Sequence, residues 1–124
     1  MLKAISPIDG RYAAKTSELA DYYSEYALIR YRVLVEVRYL QALRELGLPQ
    51  LRSLSTADAR ALDAIVDDFS EADAEAIKQT ERTTNHDVKA VEYFVKEKLR
   101  AAGHADVLEF THFGQIGRAS CRER

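Results

Sequence analysis

The chain has 124 residues, of which 47% are apolar and 31% are charged, an ordinary balance for one soluble domain or part of one. The net charge of −2 argues against a nucleic-acid binder that works through bulk positive charge. No stretch approaches the roughly 18 apolar residues of a membrane helix, and the N-terminus lacks the apolar core of a signal peptide. A single cysteine, Cys121, cannot form an internal disulfide, so we expect a cytoplasmic location.

Residues 4–12 are predicted to form a loop, followed by a short helical turn within residues 15–23. Ser6-Pro7 disfavours helix, and Asp9-Gly10 is typical of a turn. Arg11 beside a glycine, with Tyr12 next to it, could grip an anion such as phosphate. The alternative interpretation is a Pro/Gly turn that carries a surface arginine.

The clearest helix is predicted from Ser24 to Leu46, with Ser24 as its N-cap and Gly47 and Pro49 ending it. One helical face would carry Tyr26, Ile29, Val33, Val37 and Leu40. Nearly opposite would lie Leu28, Tyr31, Val35, Tyr39, Ala42 and Leu46, with Arg30, Arg32, Glu36 and Gln41 between the two faces. A surface helix of a small monomer normally has one apolar stripe, so the second face indicates contact with another domain or subunit.

Three more helices are predicted, and no segment alternates with a period of two, so the fold class is all-α. Ser55 and Ser70 each begin a capping-box pattern, the first for a helix through Phe69 and the second for a helix through about Thr80. The last helix runs from Asp87 to about Ala101, and Gly103 ends it.

A polar run, 83–87, precedes the last helix and is the second candidate site. A helix N-terminus suits anionic ligands, His86 could donate to a substrate oxygen, and Asp87 could orient that imidazole. The alternative is purely structural: Asn85 caps the helix, Asp87 complements its dipole, and His86 lies in solvent.

The remaining histidines have no recognised metal-ligand spacing. His104 follows Gly103 in a helix-ending turn and is expected in solvent, whereas His112 could be a core histidine or could face a ligand. Residues 114–124 have no helical period and carry three Arg against one Glu, so we expect a disordered tail unrelated to the domain.

Both candidate sites lie in stretches that resemble the adenylosuccinate lyase family of the fumarase/aspartase superfamily. The similar stretches are residues 6–12, 24–26 with 33–38, 77–94 and 109–113, and the third resembles the bacterial branch that carries Asn-His-Asp. The resemblance implies that residues 1–113 are the helical N-terminal domain of a longer lyase. After Phe113 the family pattern stops, and the family's catalytic serine and general-acid histidine belong to the part beyond it.

The resemblance also implies a reaction. The family removes fumarate by β-elimination from adenylosuccinate, giving AMP, and from the succinyl-carboxamide ribotide of purine synthesis. It implies nucleotide contacts for Arg11 and Tyr12, with Arg11 on the phosphate, and substrate contacts for Asn85, His86 and Asp87. No catalytic residue within this chain, no metal and no organic cofactor is implied.

The family resemblance further implies a homotetramer when full length, with active sites assembled from three subunits, and neither nucleic acid nor membrane as a partner. We expect the chain by itself to be inactive. The alternative is a non-catalytic helical interaction module, in which both candidate sites are only turns and caps. The encoding DNA would separate the two, because a lyase sequence in another frame beyond Phe113 would exclude the module.

Overall fold

The computed structural model describes residues 2–115, which form helices and turns without any β-strand. The α-helices are α1 (Ala13–Thr16), α2 (Ala20–Tyr23), α3 (Glu25–Glu45), α4 (Thr56–Ala61), α5 (Asp63–Asp67), α6 (Glu71–Thr84) and α7 (Asp87–Ala101). Short 3₁₀ segments lie at Ser17–Leu19, Pro49–Leu51 and Ala105–Phe110. The predicted all-α class is confirmed. Most of the predicted tail, from residue 116 onward, lies outside the described residues.

Helix α3 has the ends that the sequence predicts. The Ser24 hydroxyl accepts a hydrogen bond from the Ala27 N–H at 3.1 Å, and Gly47 follows the helix with φ of 79°. Its inner face is buried, with Ile29, Val33, Val37 and Leu40 all at most 2% exposed. Helices α5, α6 and α7 pack against α3, and α6 and α7 also pack on each other. These contacts form the core of the domain.

The later helices differ from the prediction in two places. The single helix expected from Ser55 to Phe69 is divided at Leu62, whose carbonyl accepts from the Ile65 N–H in a tighter turn. Helix α6 continues beyond Thr80 to Thr84. The N-terminal helical turn expected over residues 15–23 is present as α1, a 3₁₀ segment and α2. Both capping boxes, Ser55 with Asp58 and Ser70 with Asp73, are formed as predicted.

The prediction that His104 lies in solvent is wrong. Its side chain is 17% exposed, and its Nε2 lies 3.7 Å from the Asp58 carboxylate. The 3₁₀ segment Ala105–Phe110 folds back onto α7 and buries Val107 completely, so the preceding turn is drawn against the domain.

The second apolar face of α3 is open to solvent in this structure. We call it the outer face, and it consists of Leu28, Tyr31, Val35, Tyr39, Ala42 and Leu46. Val35 is 52% exposed and Leu46 is 77% exposed, whereas Tyr39 is half-buried. None of the described helices is both long and apolar enough to cross a membrane.

The two faces of α3 allow a matched test of the fold, because Val33 is fully buried and Val35, two residues away, is half exposed. Val33→Ala should lower the free energy of unfolding by about 2 kcal/mol, since it removes two methyl groups from the packed core. Val35→Ala should change it by about 0.5 kcal/mol or less. Urea unfolding followed by circular dichroism measures both, and equal losses would contradict this burial pattern.

Candidate functional site

The N-terminal loop is organised around Asp9. Its carboxylate accepts hydrogen bonds from the Ser6 N–H at 2.7 Å, the Ser6 hydroxyl at 3.1 Å and the Ile5 N–H at 3.3 Å. The Ser6 N–H bond is the main reason why the pKa of Asp9 lies below its ordinary value. The Asp9 side chain therefore fixes the turn and is not free for a ligand.

Arg11 and Tyr12 extend from this loop into solvent. The Arg11 guanidinium lies 5.3 Å from the centre of the Tyr12 ring, and no carboxylate within residues 2–115 is paired with it. An open surface cavity of about 530 Å³ is lined by Arg11 together with Leu2, Ala4, Ile5, Ser6, Pro7 and Gly10. The arrangement places a guanidinium with available donors beside an apolar wall, which suits an anion attached to a flat or apolar group.

The connection between α6 and α7 consists of Asn85 and His86. Asn85 adopts a left-handed conformation with φ of 52°, and its N–H donates to the Glu81 carbonyl at 2.7 Å. This is a helix C-cap, in which asparagine is tolerated almost as well as glycine. The structural alternative in which Asn85 caps the following helix is therefore wrong, because Asn85 ends α6.

His86 is the residue that caps α7. Its Nδ1 accepts a hydrogen bond from the Lys89 N–H at 3.1 Å, and its side chain is 61% exposed. An accepting Nδ1 carries no proton, so the neutral ring holds its proton on Nε2. The imidazole is thus held by its own helix with an N–H donor on the opposite, exposed edge. It lies in solvent, as the structural alternative expects, and it also stabilises the helix end.

Asp87 is held by α3. Its carboxylate lies 2.8 Å from the Arg32 guanidinium and accepts from the Val88 N–H at 2.8 Å. Partial burial raises the pKa of Asp87, but the Val88 bond and the Arg32 charge outweigh it and keep that pKa below its ordinary value. Asp87 lies 4.0 Å from the His86 Nδ1, too far for a hydrogen bond, so the ring is oriented by Lys89 and not by Asp87.

The N-terminus of α7 is already partly occupied. The N–H groups of Val88 and Lys89 donate to the side chains of Asp87 and His86. The helix end therefore offers a ligand fewer free backbone donors than the sequence suggests. A substrate at this position would be contacted by side chains, above all by the His86 Nε2–H.

The two candidate sites remain separate within the described residues. No hydrogen bond, ion pair or ring contact joins Arg11 or Tyr12 to residues 85–87. The side-chain hydrogen bonds of the loop around Asp9 stay inside the N-terminal segment. No three His, Cys, Asp or Glu side chains in residues 2–115 converge into a possible metal site.

One polar cluster, centred on Glu36, was not predicted from the sequence. The Glu36 side chain is 1% exposed, and its carboxylate bonds to His112 Nδ1 at 2.7 Å and to Gln115 Nε2 at 3.1 Å. Glu36 lies between the two apolar faces of α3, as its spacing predicts, but its burial was not predicted. At 3.6 residues per turn, Glu36 lies about 60° from the centre of the inner face, which places it at the edge of the core, but its burial depends on the distant residues His112 and Gln115.

His112 is partly buried, so it is neither a core residue nor fully exposed. Its side chain is 23% exposed and its backbone is left-handed, with φ of 64°. A carboxylate only accepts hydrogen bonds, so the bond to Glu36 places a proton on the Nδ1 of His112. The Nδ1 of His112 therefore donates a hydrogen bond, whereas the Nδ1 of His86 accepts one.

Comparison with known proteins supports the resemblance in the sequence. A family model described as "Lyase" matches residues 10–117. The adenylosuccinate lyase of Escherichia coli K12 is 55% identical over 115 residues, and that of Vibrio cholerae is 51% identical over 115 residues. The adenylosuccinate lyase of Dictyostelium discoideum is 50% identical over 119 residues.

The matched region is most of this chain but a small part of its relatives. It covers 90% of the chain for the two bacterial proteins and 91% for the Dictyostelium protein. The chain spans about a quarter of the length of the curated relatives it matches, 25% in each of these three cases. With a family match over 10–117 and an all-helical fold, the chain belongs to the lyase family of the fumarase/aspartase superfamily.

Proposed function

We propose that this chain forms part of the substrate-binding surface of an adenylosuccinate lyase. Such an enzyme eliminates fumarate from adenylosuccinate, giving AMP, and from the succinyl-carboxamide ribotide of purine synthesis. The observation that carries the proposal is the geometry of residues 85–87, which lie inside one of the stretches that resemble the family. There His86 holds an N–H donor outward while Arg32 holds Asp87 beside it.

The chemistry is a β-elimination. A base takes the proton from the carbon next to the succinyl carboxylate, an acid protonates the departing nitrogen, and fumarate leaves. The residues of this chain bind and orient the substrate without transferring those protons. Arg11 pairs with the nucleotide phosphate and Tyr12 contacts the nucleotide. His86 donates from Nε2 to a substrate oxygen, with Asn85 and Asp87 on either side of it.

The proposal also includes the rest of the polypeptide and the other subunits. Residues 1–113 form the N-terminal domain of a cytoplasmic homotetramer, and the acid and the base come from the part of the relatives beyond the match. The size of the relatives supports this, because three quarters of their length has no counterpart here. The open outer face of α3 favours a second candidate, a non-catalytic interaction module, which a test of activity separates from the first.

That test compares the 124-residue chain with a chimera in which residues 1–113 replace the aligned segment of the Escherichia coli lyase. The chain alone should not convert adenylosuccinate, because positioned acids and bases each contribute about 10²–10⁴ to the rate and both are absent from it. The chimera should turn over at a rate comparable to the parent lyase. Loss of adenylosuccinate absorbance measures both. An inactive but folded chimera would favour the module, and an active chain would refute the proposed division of roles.

Arg11→Ala in the chimera tests the phosphate contact. It removes a charge-assisted hydrogen bond of roughly 1.5–3 kcal/mol, so nucleotide affinity should fall about ten- to a hundredfold. Lys15→Ala is the matched control, because Lys15 is a nearby exposed cation that the proposal does not use. AMP binding is measured by calorimetry. If the two substitutions weaken it equally, Arg11 contributes only to the general surface charge and makes no specific phosphate contact.

His86 requires two variants, because it also caps α7. His86→Asn keeps a favoured N-cap acceptor and removes the Nε2 donor, whereas His86→Ala removes both. In the chimera both should lower kcat/KM about ten- to a hundredfold, the value of one lost bond to a charged group. Only the Ala variant should also lose about 1 kcal/mol of unfolding free energy. Normal turnover of His86→Asn would leave His86 with a capping role alone.

A further inference from the structure

A second surface cavity, of about 210 Å³, lies where the C-terminal half of α3 meets α4 and the start of α5. Three arginines line it, Arg38 and Arg44 from α3 and Arg60 from α4. We call it the arginine cavity. None of residues 11–12 or 85–87 lines it, so the proposed nucleotide contacts leave it without a role.

One of the three arginines is already neutralised. The Arg38 guanidinium lies 2.7 Å from the Asp63 carboxylate and donates to the Gln41 amide oxygen at 3.0 Å. The Gln41 amide nitrogen in turn donates to Asp63 at 2.9 Å and to the Ala59 carbonyl at 2.6 Å. This network joins α3 to α4 and α5, and the charge of Asp63 is balanced by Arg38.

Arg44 is a partly buried cation that pairs only with neutral oxygens. Its Nε–H donates to the Leu54 carbonyl at 3.0 Å, and its Nη2 donates to the Thr56 hydroxyl at 2.8 Å. No carboxylate within residues 2–115 forms an ion pair with it. A charge that is withdrawn from water without a counter-ion is unfavourable, so this guanidinium is held in place and still lacks an anion.

Arg60 supplies a second uncompensated charge at the same cavity. It is exposed and forms no ion pair in the part of the chain that the structure describes. The other acidic residue of the lining, Glu45, is also exposed and lies too far from all three arginines to pair with them. Each guanidinium presents a fork of N–H donors that matches the oxygens of a phosphate group.

We propose that the arginine cavity binds a phosphate group, held by Arg44, Arg60 and the Thr56 hydroxyl. Thr56 Oγ1 accepts from Arg44, so its own proton can be donated to a phosphate oxygen. A phosphate dianion balances both uncompensated guanidiniums, whereas a carboxylate balances one. The cavity has the volume of about seven molecules of liquid water, which is more than a phosphate group fills. The ligand is therefore inorganic phosphate or a small phosphate monoester, and it bridges α3 and α4.

The experiment measures phosphate binding to the 124-residue chain with Arg11→Ala, which removes the phosphate contact assigned to the N-terminal loop. Inorganic phosphate is added at constant ionic strength, and proton–nitrogen NMR spectra follow the arginine Nε–H signals. Those of Arg44 and Arg60 should shift saturably, with half-saturation below about 10 mM. Arg60→Glu should weaken binding at least about tenfold, because it removes a charge-assisted contact and adds a repulsive charge.

Arg52→Glu is the matched control, since Arg52 is an exposed arginine of the same region that does not line the cavity. It should weaken binding by about twofold or less, because exposed charges outside the site are screened by salt. Arg60 is changed in preference to Arg44, which also ties α3 to the loop before α4. Equal weakening by the two substitutions, or shifts that sodium chloride reproduces, would overturn the proposal.

Thermal unfolding followed by circular dichroism is an independent measurement. Phosphate should raise the unfolding midpoint of the chain but not that of its Arg60→Glu variant, because a ligand that binds only the folded state stabilises it. If the chain self-associates, the same comparison is made in the chimera, and equal midpoint shifts there would contradict the site. Glycerol phosphate distinguishes the two sources: tighter binding than inorganic phosphate assigns the site to a monoester, and equal or weaker binding assigns it to the free ion.

Discussion

The burial of one face of α3 is the constraint on which the rest of the domain depends. Helices α5, α6 and α7 all pack against this face, and its apolar centre is fully excluded from solvent. The same helix carries Arg32, which holds Asp87 at the start of α7, and Glu36, which holds His112 after the last 3₁₀ segment. One helix thus builds the core and also fixes two histidine-bearing segments relative to it.

The helices were predictable because their ends carry strong local signals. Ser24, Ser55 and Ser70 each cap a helix through contacts within three residues, which depend little on the rest of the fold. The two apolar faces of α3 follow from residue spacing alone, and in the structure one face is buried while the other is largely exposed. Arg11 and His86 could be singled out as candidates because an arginine beside a glycine and a histidine at a helix N-terminus can both contact an anion, although each also had a structural alternative.

The features that were not predicted from the sequence depend on contacts between residues that are distant in the chain. Glu36 meets a histidine 76 positions away, and no local pattern shows that its charge is satisfied in the core. His104 was expected in solvent because it follows a helix-ending turn, yet the following 3₁₀ segment folds back on α7. Asn85 ends α6 and His86 begins α7 because the backbone of Asn85 is left-handed. Several residue types can adopt this conformation, so the sequence alone does not show which residue has it.

The two-residue connection between α6 and α7 has a consequence for how the domain folds. Closing a helical hairpin through so short a loop costs little chain entropy. The two helices also make contacts at small sequence separation. Such local contacts are the ones that form quickly during folding. The left-handed backbone of Asn85 and the N-cap hydrogen bond of His86 depend only on residues of this hairpin. The ion pair between Arg32 and Asp87 forms only after α3 has docked on the hairpin. The imidazole can thus be oriented by its own neighbours before the tertiary structure that surrounds it is complete.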